Sequence, residues 1–447
     1  MQREYRFGRD ARAEARRTKN IFSETVIVFI LLHFLGFPGN FTNVFGETLE
    51  TVINYGAFLL QIVVMLVTSA DSVKEIRLFS FQKRYLCLYL FAVVIIALSM
   101  LVARDKTAEM ITCVQLYVLM IFSIWMTQQY SLEQVVEFLC RAQMFFIFFT
   151  LVLTVLFPRY AFSSEVNEND FVGLIITKNA SATELAFGIL MHLLLFRLRK
   201  KNHRPIGLYI PAMLTLQIVL MLMCRATGAL LSLSIVTVYL FVLPRRNDRK
   251  KRLPLGFVYV IASIGFLFAA LSILPLFEPM LNALGKDATL TGRVPIWNRL
   301  ITVMSESHTL TGYGYEMFWR DEEAVKLFHI GFDRNTWARQ MTTGSHNVIM
   351  EMWVNTGLIG VSMYLFLFLD SFRSAASMED DQYLYCCAFV LLFMIFGFTE
   401  RSMGQRDYMT MNLFMTLSIG CTVNEQTALR REERRLRRML QRKGAEE

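Results

Sequence analysis

Long apolar stretches, each ended by a short polar or charged interval, recur from residue 21 to residue 422. A helix needs about 20 apolar residues to cross the hydrocarbon layer of a bilayer. Inside that layer only a helix or a closed barrel satisfies its own backbone hydrogen bonds. The stretches here are continuously apolar and do not alternate, so they predict helices. The pattern gives about twelve spans, near 21–37, 52–70, 85–103, 108–127, 142–158, 182–198, 206–224, 227–243, 255–275, 347–369, 383–399 and 408–422. The first is interrupted by His33 and the last is short. The expected fold class is an all-α polytopic membrane protein.

The organisation follows. Residues 1–20 read as a basic tail and 21–275 as spans one to nine, with an outside loop near 159–181. Residues 276–345 read as a large loop between spans nine and ten, 346–422 as the last three spans, and 423–447 as a second basic tail. Within the large loop, Ile296–Met304 has the spacing of an amphipathic helix. Gly312-Tyr313-Gly314-Tyr315 reads as a turn. Phe318, Trp319, Arg320, Arg334, Trp337 and Arg339 make its remainder aromatic and basic.

Composition agrees: 54% of residues are hydrophobic, which excludes an ordinary soluble domain. The net charge of +9 gathers in clusters at Arg3–Lys19, Lys74–Arg84, Arg197–Arg204, Arg245–Arg252 and Arg430–Lys443. Counting spans places all of them on one side, which the positive-inside rule makes the cytoplasm. Both termini are then cytoplasmic; the resemblance described below implies that the membrane is a bacterial inner membrane. The basic tails read as topology signals and contacts with anionic lipid, and no nucleic-acid partner is expected. The first apolar run lacks a small-residue cleavage site, so no cleavable signal peptide is expected. The seven cysteines lie in or beside spans without CxxC or Cys/His spacing, which argues against a disulfide framework and a structural zinc site.

Candidate chemistry concentrates on the outside face. His346-Asn347 stands at the mouth of an apolar run, where a His is a candidate base. Arg225 is the sole charge between Ile206 and Leu243, a costly position unless it works. Arg401 and Arg406 lie on another outside turn. Glu184 reads as a partner for Lys178 or a facing Arg, or as a helix cap. Glu306, Glu316, Asp321, Glu322, Glu323 and Asp333 are alternative bases. His308 and His329 share the large loop without a motif, and His33 and His192 read as packing residues.

Four motifs occur in order. Gly173-Leu174-Ile175-Ile176-Thr177-Lys178-Asn179-Ala180 precedes a span. Thr291-Gly292-Arg293, with Ile296-Trp297, opens the amphipathic segment. Thr311-Gly312-Tyr313-Gly314-Tyr315 is followed by Phe318-Trp319. His346-Asn347 is followed by Gly357-Leu358-Ile359-Gly360. Together they resemble the O-antigen ligase and polysaccharide polymerase superfamily over residues 160–370. The resemblance implies a GT-C-type, inverting and metal-independent glycosyltransferase without a cofactor, working at the periplasmic face. It implies an undecaprenyl-pyrophosphate-linked glycan as donor, and as acceptor either the end sugar of another lipid-linked repeat or lipid A-core. A chain-length regulator or export machinery are further expected partners, besides the bilayer.

The resemblance and the chemistry of a lipid pyrophosphate leaving group assign the roles. Arg225 and Arg293 are expected to neutralise developing phosphate charge, and His346 to take the proton of the acceptor hydroxyl. Lys178, Asn347, Trp297, Arg401, Arg406 and Tyr315 are expected to bind substrate. Trp319 and Trp337 are further candidates for stacking on sugar or anchoring the loop. Gly357, eleven residues after His346, is expected on the same helix face, where it admits a neighbouring helix. The aromatic Gly-Tyr-Gly-Tyr element leans the reading toward a polymerase, with a ligase as the alternative. A flippase or transporter fits less well, because no internal repeat is visible and the charges sit on one face.

Overall fold

The structure, a computed structural model, describes residues 22–69, 82–162, 170–175, 177–242, 252–277, 279, 290, 292–332, 344–400 and 407–446. Among these there is no strand, only an antiparallel bridge between Phe162 and Phe171. Among the described residues eight helices are long and apolar enough to cross a membrane, or up to nine if a bent pair is one span. That pair is the expected first span. Helix α1 (Phe22–Phe34) and the helical segment Gly39–Phe45 meet at 81°. The expected spans at 206–224 and 227–243 form shorter apolar helices, Tyr209–Met223 and Thr227–Thr237. The last expected span lies inside a helix of 39 residues, Tyr408–Glu446.

The chain divides into two compact units. The first takes the described residues before position 80 and Trp125–Leu233. It holds α1, α2 (Glu47–Ser69), the end of α4 (Lys106–Gln129), α5 (Leu132–Leu156), α6 (Lys178–Lys201), α7 (Tyr209–Met223) and the larger part of α8 (Thr227–Thr237). Helix α3 (Leu86–Val102) belongs to the second unit. Helix α5 starts ten residues before the apolar run because Ser131 and Gln134 form a capping box there. Its polar first turns also find partners: Glu133 accepts from Asn202 (2.7 Å) and pairs with Arg204 (3.1 Å). Helix α6 runs through the middle. At Gly188 the side-chain amides of Gln143 from α5 and Gln217 from α7 press against its backbone, and a Cβ there would stand 2.2 Å from Gln217 Nε2. A small residue at that point lets the helices close up.

The second unit comprises residues 81–124 and 234–447. It holds α3, most of α4, α9 (Leu255–Phe268), α10 (Arg293–Glu306), α11 (Glu322–Ile330), α12 (Val348–Ser371), α13 (Asp380–Thr399) and α14 (Tyr408–Glu446). The amphipathic segment of the large loop is helix α10. It buries Ile296, Trp297, Leu300, Val303 and Met304, the one-face spacing of a helix lying on a core. They pack with Phe318, Phe328, Met350 and Val354. In the interior Tyr259 of α9 stacks on Phe368 of α12 with ring centroids 3.6 Å apart.

Helix α12 is not continuous. Gly357 has φ 64° and ψ −172°, which breaks the helix in its middle. A left-handed φ is costly for any residue with a Cβ. The expected face relation between His346 and Gly357 therefore does not hold. What approaches Gly357 is no helix but the backbone of Leu310 and Thr311. A Cβ on Gly357 would stand 2.1 Å from the Leu310 carbonyl oxygen.

Candidate functional site

His346 sits one residue before the N-cap of α12, in the left-handed region at φ 52°. Its neighbours hold it there from both sides. Asn347 is the N-cap of α12: its Oδ1 accepts from the amides of Ile349 (3.0 Å) and Met350 (3.1 Å). Its Nδ2 donates to the carbonyl of Phe398 (3.3 Å), near the end of α13. Ser345 has three bonds. Its amide donates to Glu351 Oε2 (2.9 Å), its carbonyl accepts from Trp297 Nε1 (2.8 Å), and its hydroxyl donates to the Asn347 carbonyl (2.9 Å). Glu351 also accepts from Trp319 Nε1 (3.1 Å). Ser345, Asn347, Glu351 and Trp297 are all buried. A strained residue persists only where its surroundings over-determine it, and these bonds do so.

The imidazole faces a carboxylate. His346 Nδ1 lies 3.9 Å from Glu400 Oε2, and Arg293 Nη2 lies 3.3 Å from Glu400 Oε1. Glu400 thus stands between the two residues assigned to the reaction. All three side chains are partly buried, at 22% exposure for His346, 23% for Glu400 and 15% for Arg293. Charges in such a setting are screened less than at an open surface. Gly292, at φ 82°, turns the chain into α10 so that Arg293 becomes its first residue.

The first unit holds a second cluster. Lys178 Nζ lies 2.6 Å from Asp170 Oδ2, and Arg225 Nη1 lies 3.7 Å from Asp170 Oδ1. Asp170 is buried at 4% side-chain exposure, whereas Arg225 is exposed at 73%. Arg225 has φ 51°, so the link between α7 and α8 turns sharply at this residue. The turn that leads to Lys178 is pinned by Asn40. Its Nδ2 donates to the carbonyls of Gly173 (2.9 Å) and Ile175 (3.1 Å), and its amide to Leu174 (2.7 Å). Thr177 then caps α6 by accepting from the Ala180 amide (3.3 Å).

Other expected residues are placed differently. Trp297 and Tyr315 are fully enclosed and offer no ring face to a sugar. Trp297 acts on the backbone beside His346. Tyr315 donates its amide to Ser99 Oγ (2.9 Å) and Glu109 Oε1 (2.9 Å). Asn347 spends its side chain on helix and backbone. Arg401, Arg406, Thr291, Arg334, Trp337 and Arg339 lie outside the described residues. His308 is part-buried with its ring 4.0 Å from that of Tyr313. Burial holds its imidazole below the ordinary value. Arg104, in the turn between α3 and α4, pairs with Asp321 (3.2 Å) and with Glu323, whose carboxyl it holds below the usual range.

Three carboxylates at these clusters were not anticipated as site residues. Glu351 had a visible signal, being the sole charge within the span 347–369. Glu400 showed only as part of an outside turn, and Asp170 is one of several acids in its loop.

Comparison with known proteins adds an independent line. The O-antigen ligase family profile matches residues 212–365, which include Arg225, Arg293, His346 and Gly357. The chain is similar to the exopolysaccharide production protein ExoQ of Rhizobium meliloti (strain 1021), with 35% identity over 98 residues. That match spans 21% of this chain and 21% of the relative's length. Over residues 212–365, about a third of its length, this polytopic chain is thus similar to the O-antigen ligase family, the same family that its ordered motifs resemble.

Proposed function

We propose that the protein is an inverting glycosyltransferase of GT-C type, with about twelve crossings of a bacterial inner membrane. It moves a glycan from undecaprenyl pyrophosphate to a sugar hydroxyl at the periplasmic face, with both termini in the cytoplasm. The observation that carries this reading is the chain Arg293–Glu400–His346, which places a fixed cation, a carboxylate and an imidazole in sequence. His346 Nδ1 faces Glu400. The imidazole takes the proton of the acceptor hydroxyl. The acceptor oxygen forms its bond to the anomeric carbon from the face opposite the phosphate. The bond from that carbon to the phosphate oxygen breaks, and the lipid pyrophosphate leaves with the electron pair. Arg293 offers fixed positive charge to a developing anion without reorganisation. Arg225, exposed and always charged, and Lys178 are assigned to the phosphates of the donor. These cations supply the charge stabilisation that a metal would otherwise give.

Polymerisation of lipid-linked repeats is the preferred reaction, supported by the similarity to an exopolysaccharide production protein. Transfer to lipid A-core is the alternative, with the same chemistry. A chain-length regulator or an export partner fits the first reaction. The test uses purified protein with an undecaprenyl-pyrophosphate-linked oligosaccharide, with and without lipid A-core, read on a gel beside His346→Ala. A ladder of lengthening lipid-linked glycan without core is expected. Product only with core would reassign the acceptor. Movement of the donor across a vesicle bilayer without transfer would overturn the enzyme reading.

A further inference from the structure

The break in α12 is repaired by another part of the chain. In an unbroken helix the Val354 carbonyl would accept from the Leu358 amide, and that of Asn355 from the Ile359 amide. At Gly357 both rungs are lost. The Val354 carbonyl instead accepts from the Tyr313 amide (2.9 Å), and that of Asn355 from the Gly314 amide (2.9 Å). The freed amides of Leu358 and Ile359 donate to the carbonyls of Thr309 (2.9 Å) and Leu310 (3.3 Å). Two broken rungs are thus replaced by four bonds to one segment, Thr309–Gly314. Trp353 Nε1 adds a fifth bond, to the Thr309 carbonyl (3.0 Å). The fit leaves no room: a Cβ on Gly312 would stand 2.5 Å from the Asn355 carbonyl carbon.

This splice decides where His346 stands. The half of α12 before the break, residues 348–356, begins at the Asn347 cap beside His346. Its covalent link to the second half passes through one glycine. The spliced segment is in turn fastened to the helical hairpin α3–α4. Glu109, fully buried in the first turn of α4, accepts the Tyr315 amide through Oε1 (2.9 Å), with Ser99 Oγ of α3 beside it (2.9 Å). A second fastening lies at the Arg104 contacts with Asp321 and Glu323. The links from Glu109 to His346 are the hydrogen bond to the Tyr315 amide, the spliced segment with its backbone bonds to α12, and a short piece of helix, all within the second unit.

We infer that Glu109 is a positioning residue: by holding the Tyr315 amide it fixes the spliced segment, and through it the half-helix that presents His346. The inference rests on the glycosyl-transfer reading for its effect on rate, but its structural part stands without it. A carboxylate within an apolar stretch has a further physical reason here, because Glu109 Oε1 and Ser99 Oγ share one buried amide, and the charged acceptor makes the stronger of the two bonds.

The test compares the wild type with Glu109→Gln, which keeps an Oε1 acceptor, and Glu109→Leu, which removes it at similar volume. Ser99→Ala is a milder variant should Glu109→Leu fail to fold. Amide exchange is followed for residues 309–315, 344–352 and 354–360 in lipid nanodiscs. In Glu109→Leu, exchange in all three segments should rise by about tenfold or more, the scale of one lost buried hydrogen bond. Turnover of the lipid-linked donor should fall on the order of tenfold to a hundredfold in kcat, with KM nearly constant. Glu109→Gln should restore both. Unchanged exchange at 344–352 in Glu109→Leu, a loss confined to KM, or a Gln variant no better than Leu would each overturn the inference. If the wild type transfers nothing from a lipid-linked donor, the reaction reading falls, while the exchange comparison still decides whether Glu109 fixes the half-helix.

Discussion

The two units each centre a charged cluster on one acid, and the clusters differ in kind. In the first unit Asp170 is buried, holds Lys178 at 2.6 Å and leaves Arg225 3.7 Å away and exposed. Its partners are both permanent cations. In the second unit Glu400 stands between Arg293 and His346 at 3.3 and 3.9 Å, with all three side chains partly buried. One partner there is a titratable imidazole. The first arrangement suits the capture of an anion by an Arg whose fork is free to turn toward it. The second suits proton transfer, because imidazole exchanges its proton near neutral pH. A shared acid-centred plan therefore divides the proposed work by the identity of one partner.

The comparison can be broken most strongly at His346. His346→Ala should lower kcat by about 10²–10⁴-fold, the range of general base catalysis, while protein level and membrane insertion stay unchanged. Full activity would remove the second cluster from the chemistry. The cation clusters come next. Arg293→Ala and Arg225→Ala should each cost about 10²–10³-fold in turnover. Arg225→Lys should recover part of the loss, while equal activity of Arg225→Ala and wild type would leave the first cluster a purely structural ion pair. Glu400→Gln keeps the shape but removes the charge. It should reduce turnover by about tenfold, less than His346→Ala, since the carboxylate acts through its neighbours.

A further change sharpens the contrast between proposed catalytic and architectural residues in the second unit. Gly357→Ala places a Cβ 2.1 Å from the Leu310 carbonyl at a left-handed φ. It should cost about 3 kcal/mol or more, seen as a lower Tm in detergent, where the substitutions at His346, Arg293, Arg225 and Glu400 shift Tm little. The smallest expected effect is a pH response at His308. Its imidazole is held below the ordinary 6.5 by burial, so the opened segment binds a proton more readily than the closed one. Stability of the segment is therefore full above pH 6.5 and declines as pH falls below it. Amide exchange at residues 307–313 should rise on acidification, and His308→Gln should remove that dependence.

Much of this was legible beforehand, for specific reasons. The 54% hydrophobic composition and the continuous runs dictate membrane helices, because only a helix or a closed barrel holds its backbone in lipid and barrel strands would alternate. The spacing of Ile296, Trp297, Leu300, Val303 and Met304 announced α10 within the loop. His346, Arg293 and Lys178 were picked from ordered motifs and Arg225 from its isolation in an apolar stretch, and each lies beside a charged partner. The partners themselves were hidden. Asp170 and Glu400 are distant in the chain from Arg225, Arg293 and His346, and acids in loops carry no pattern. Trp297 and Tyr315 looked like surface aromatics, yet the second unit buries both, because side-chain chemistry alone does not say which face of a loop turns inward. Gly357 was expected to admit a helix. A sequence shows that a glycine permits close approach, not which backbone will come.

What the sequence determined by itself is the set of local necessities: apolar length, helix caps at Ser131 and Asn347, and glycines where φ turns positive. These depend on neighbours in the chain. What only the tertiary structure decided is which distant groups meet. Glu400 reaches His346, Glu109 takes the Tyr315 amide, and Thr309–Gly314 fills the break at Gly357, because a buried backbone group must find a partner somewhere and only the folded chain sets who is near.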